Sequence, residues 1–166
     1  MKPGIGLSVK DREGVVDILH ALLSDEFVLY AKTLNYHWNV TGPHFDELHK
    51  FFGTQYGALQ LIMDDVAERA RMLGGKAPGT LKEFLQHARI KEQPGKEPDA
   101  WDMIANLLSD HEAIVRSLRV DLETSQNTYH DAGTTDFLTG LMEQHEKMAW
   151  MLRAFIEGKS CVMKKR

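Results

Sequence analysis

Apolar residues recur three and four positions apart through most of the chain. From about Asp11 to Tyr36 the series Val15, Ile18, Leu19, Leu22, Leu23, Phe27, Tyr30 and Leu34 marks one face of a long amphipathic helix. Gly42-Pro43 interrupts it. A second stripe opens at Phe45 and continues through Leu48, Phe52, Tyr56, Leu59, Ile62, Met63 and Val66, with Gly74-Gly75 as its stop. A third begins after Pro98 with Trp101, Ile104, Leu107, Leu108, Ile114, Leu118 and Leu122. A fourth runs from Phe137 through Leu141, Met148, Leu152 and Phe155 to Gly158, set off from the third near Asp131-Ala132-Gly133. No strand-like alternation competes with these four.

Between the second and third stripes, Lys76 to Pro98 carries Ala77-Pro78-Gly79, Gln93-Pro94-Gly95 and Pro98, which leaves room for only a short helix around Leu81 to Gln86. Two tight connections flanking one long crossover predict an all-α four-helix bundle, with a short extra helix in the crossover between helices two and three. Residues 1–166 read as one domain with tails at about 1–10 and 159–166.

Composition narrows the picture without redirecting it. With 43% hydrophobic and 27% charged residues among 166, the chain has the makings of one packed core and is not a disordered polymer. No apolar run approaches the roughly 20 residues needed to cross a bilayer. The lone Cys161 has no intrachain partner, and the first twenty residues lack the basic-then-apolar order of a signal peptide, so a cytoplasmic location is expected. A net charge of −4 gives no global pull toward nucleic acid. Any DNA binding must come from a local patch, and Lys159, Lys164, Lys165 and Arg166 form the one basic tail.

Metal chemistry inside a helical bundle usually draws on Glu-x-x-His, which aims a carboxylate and an imidazole at one point. No glutamate here is followed by histidine three residues later. The chain offers instead His37 at the end of helix one, His49 early in helix two, and Asp64 with Glu68 four apart on one face late in helix two. At 1.5 Å per residue His49 and Asp64 are separated by about 22 Å, whereas metal bonds span about 2 Å. One chain cannot close that gap. Two antiparallel copies of helix two crossing near residue 57 can, and Gly53, Gly57 and Ala58 are small residues at such a crossing. The expectation is a two-fold dimer with two equivalent metal sites, each built from both subunits.

Several segments carry a family resemblance: Lys32-Thr33-Leu34-Asn35-Tyr36-His37-Trp38-Asn39-Val40-Thr41-Gly42-Pro43, then Leu48-His49, Asp64-Asp65-Val66-Ala67-Glu68-Arg69, Leu73-Gly74-Gly75, Pro78-Gly79-Thr80, His145-Glu146-Lys147 and Trp150-Met151-Leu152. Together these resemble the Dps family, the miniferritins of the ferritin-like superfamily. The resemblance implies a dodecameric cage that oxidises ferrous iron with hydrogen peroxide or oxygen, stores the ferric product and protects against oxidative damage. It implies ferroxidase centres at two-fold interfaces, with His37 and His49 from one subunit and Asp64 and Glu68 from its mate, and with Trp38 as an oxidisable ring beside them. Zinc is an alternative occupant. Asp131 and Asp136 resemble acids lining three-fold iron-entry pores. Family members usually carry an Asp or Glu one turn after the second histidine, where this chain has Gly53. That departure implies one well-occupied metal position and a weaker neighbour, and it supports a rival reading: a structural, DNA-compacting cage with weak or zinc-filled sites.

Overall fold

The computed structural model describes residues 3–163, with side chains through residue 157. Five helices follow one another along the chain: α1 (Val9–Asn39), α2 (Phe45–Met72), α3 (Leu81–His87), α4 (Ala100–Asn127) and α5 (Ala132–Met163). No strand occurs among the described residues. Helices α1 and α2 form one antiparallel hairpin and α4 and α5 a second, while α3 rides on α1 within the crossover. This is the four-helix bundle with a short extra helix that the hydrophobic pattern predicts.

Local chemistry sets most of the boundaries. Ser8 caps α1 by accepting from the Asp11 amide. Gly42, at φ +106°, turns the chain into α2. At the other end of α2, Gly74 at φ +87° lets the Gly74 and Gly75 amides donate to the carbonyls of Arg71 and Ala70, so the two glycines end the helix as their sequence implies. Thr80 and Glu83 form a reciprocal capping box on α3. The buried Phe84 of α3 stacks on Phe27 of α1, ring centroids 4.2 Å apart. Just beyond, Arg89 donates to both Asp25 and Asp121, which pins the crossover to α1 and α4.

The last helix departs from its sequence-based limits. It starts at Ala132, five residues before the first apolar position of its stripe, because Asp131 caps it: the carboxylate accepts from the Thr134 amide at 3.0 Å and from the Thr134 hydroxyl at 2.6 Å. Ala132 to Asp136 adds one small and polar turn that gives no apolar signal. The helix also continues past Gly158 to Met163, so part of the expected tail is helical. The side chains of Lys159 and Cys161, and all of Lys164, Lys165 and Arg166, lie outside the described residues.

Candidate metal site

The α1–α2 turn folds the last turns of α1 back onto the start of α2 and brings His37 and His49 together. Their rings stack, with centroids 3.8 Å apart and planes at 20°. His37 Nδ1 lies 2.7 Å from the His49 carbonyl, and His49 Nδ1 lies 2.8 Å from the His37 carbonyl. A carbonyl only accepts, so each Nδ1 carries a hydrogen, and in the neutral ring it is Nε2 that holds the lone pair. Backbone oxygens thereby fix tautomer and ring orientation, the support that metal-binding imidazoles characteristically receive.

Other rings wall in the pair. Tyr56 meets His37 edge-on at 5.1 Å, and Phe45 stacks on His49 at 5.2 Å. A Cβ added at Gly53 would sit 3.3 Å from His37 Cε1 and 3.4 Å from its Nδ1, so the imidazole packs directly on a bare backbone. Trp38, next in sequence, points outward at 67% exposure and makes no ring contact with either imidazole.

Asp64 and Glu68 are both exposed, on the stripe of α2 that also holds His49, Gly53, Gly57 and the 69%-exposed Leu61. Neither carboxylate has a hydrogen bond or ion pair with another described residue. Open space surrounds the position where a Gly57 side chain would stand, whereas Ala58 turns the other way, into a cleft lined by Phe51, Gln55 and Met148. Within one chain the imidazoles and carboxylates stay apart. Among the described residues no three His, Cys, Asp or Glu side chains gather around one point. Asp131 is buried, capping α5 and pairing with Arg69 at 3.2 Å, while Asp136 is exposed.

The family model for the ferritin-like domain matches residues 16–160. DNA protection during starvation protein 2 of Bacillus anthracis is 37% identical over 142 residues, 86% of this chain and 96% of that one. The chain belongs to the Dps family. A crystal structure of the Dps protein from Vibrio cholerae O1, described as a member of a broad superfamily of ferritin-like diiron-carboxylate proteins, has a TM-score of 0.87 at 30% identity, covering 93% of this chain and 96% of that one. An uncharacterized low temperature-induced protein of Nostoc sp. is 48% identical over 154 residues, 93% of this chain and 86% of that one. The Dps fold accounts for the paired hairpins and the stapled crossover.

Proposed function

We propose that this Dps-family chain is an iron-oxidising, iron-storing cage subunit, with ferrous iron as substrate and hydrogen peroxide or oxygen as oxidant. One observation carries the reading: two stacked imidazoles, His37 on α1 and His49 on α2, have both Nδ1 atoms anchored to backbone, and His49 shares its stripe of α2 with two carboxylates that have no partner among the described residues. Antiparallel pairing of two α2 helices about Gly57 brings the His37 and His49 of one subunit to the Asp64 and Glu68 of its mate. The neutral imidazoles suit a ferrous ion, and the carboxylates offset the added charge on oxidation. Two ferrous ions giving one electron each, together with two protons, reduce one peroxide to two waters without releasing hydroxyl radical, so the weaker second position must fill during turnover. Trp38 is an exposed ring available for adventitious oxidation.

Further elements follow the same reading: a dodecamer whose interior holds the ferric product, protection from oxidative damage, and a cytoplasmic location. Gly53 supplies no carboxylate to a second metal position, so one iron binds firmly at each site and a second weakly, with zinc a competitor for the first. Anaerobic titration of the metal-free protein with ferrous iron, followed by peroxide, tests this. One tight iron per subunit with iron-dependent peroxide consumption supports it; no peroxide consumption would remove the enzyme reading. Gly53 also favours a second reading, a mainly structural cage that compacts DNA through its basic tail. A gel shift at low salt, with and without residues 159–166, separates the two.

A further inference from the structure

In each of the four long helices a polar side chain stands within a run of buried apolar residues. Glu26 interrupts Val15, Leu19, Leu22 and Leu29 on α1; Gln55 interrupts Leu48, Phe52, Leu59 and Ile62 on α2; His111 interrupts Ile104, Leu107, Ile114 and Leu118 on α4; His145 interrupts Leu138, Leu141, Met148 and Leu152 on α5. Glu26, His111 and His145 are fully buried and form a line across three helices. His145 Nε2 lies 2.8 Å from Glu26 Oε1, off the axis of a good hydrogen bond, and His145 Nδ1 lies 3.0 Å from His111 Nδ1. His111 Nε2 and the second Glu26 oxygen have no partner.

Buried polar groups are ordinarily satisfied, and a buried carboxylate is ordinarily paired with a cation. The other buried carboxylates obey this: Asp25 and Asp121 meet Arg89, and Asp131 meets Arg69, while the buried Lys32 meets Asp110. Glu26 has only His145. At 3.0 Å the two facing Nδ1 atoms must consist of one N–H and one lone pair, so their bond exists only while one ring is neutral. A proton on both rings sets two N–H groups against each other in a water-free core.

We propose that the Glu26–His145–His111 line is an acid latch, which holds α4 against α5 while either ring is neutral and forces them apart when both rings carry a proton. The groups facing His111 offer no relief. The buried members of α2 include no charged side chain, Lys32 of α1 is committed to Asp110, Glu26 of α1 reaches His145 and not His111, and α5 presents that histidine. Burial first, and His145 second, hold His111 well below its ordinary value of 6.5. The unfolded chain therefore binds this proton at a higher pH than the folded one. The latch's contribution is complete above about 6.5 and lost as pH falls toward the folded value.

The test uses the full-length assembled protein. Unfolding free energy measured by denaturant titration between pH 5 and 7 should fall with acidity, and His111→Gln, which cannot titrate, should reduce the linked proton uptake by about one per chain. An unchanged slope overturns the latch. Should that variant fail to fold, hydrogen–deuterium exchange at histidine Cε1 in the wild type, read by mass spectrometry, decides alone: a folded His111 titrating at or above its ordinary 6.5 overturns the proposal, and one that titrates clearly below it supports it. Zinc binding that survives His37→Ala/Asp64→Ala and disappears with His111→Gln would replace the latch with a metal centre in the bundle core.

Discussion

His37 and His49 each hold the other's ring by donating Nδ1–H to its backbone carbonyl, at 2.7 and 2.8 Å. On the proposed reading, the imidazole half of the site is thus built within one subunit, by the fold of a single hairpin. The carboxylate half, about 22 Å further along α2, is equally part of that subunit and equally incomplete.

A mixing experiment follows from that separation. His37→Ala/His49→Ala and Asp64→Ala/Glu68→Ala should each lower iron-dependent peroxide consumption by about tenfold or more, a typical loss on disturbing a metal site. Co-assembly of the two variants should restore activity, since each mixed dimer regains one site with all four ligands. No recovery in verified mixed assemblies would sink the shared-site reading.

Gly53→Asp should add the missing oxygen ligand and raise tight iron binding from one toward two per subunit. The new Cβ would press on His37 at 3.3 Å, so the imidazole must shift by a few tenths of an ångström. Calorimetric titration with ferrous iron reads the outcome. A stoichiometry unchanged from wild type would show that Gly53 is not what limits the second position.

Asp131→Ala should destabilise the fold by about 2–3 kcal/mol, because it removes the α5 cap and leaves the half-buried Arg69 unpaired. Thermal melts measure that loss. The initial rate of iron uptake should stay near wild type below the melting range. A selective loss of uptake with unchanged stability would return Asp131 to the pore role that its resemblance suggests.

Gly14→Ala should cost about 1–3 kcal/mol, since the added methyl would fall 2.2 Å from the Tyr129 ring. Tyr129→Ala in the same chain should recover part of the loss. A Gly14→Ala melt equal to wild type would mean that the ring moves aside freely.

The hydrophobic stripes made the bundle legible because burial at a 3.6-residue period is written directly into α1, α2 and α4. The start of α5 was hidden because a cap, not an apolar residue, begins it. His37 and His49 were visible as ligand types, but their stacking and reciprocal anchoring depend on the turn at Gly42, whose exact path no periodicity encodes. Asp131 was read only through its resemblance to pore-lining acids, because no spacing rule links it to its partner Arg69, 62 residues away. Glu26, His111 and His145 carried a readable signal: each stands where the buried stripe calls for a leucine. Spacing alone could not say that three such interruptions would meet.

The hairpin that prepares two imidazoles in each subunit also keeps that subunit from using them alone. A freshly made or detached chain holds its nitrogen ligands ready and its oxygen ligands out of reach, so on the proposed reading it has no competent centre. Ferric product would then form only where a neighbouring chain, and the beginnings of a container, are already in place.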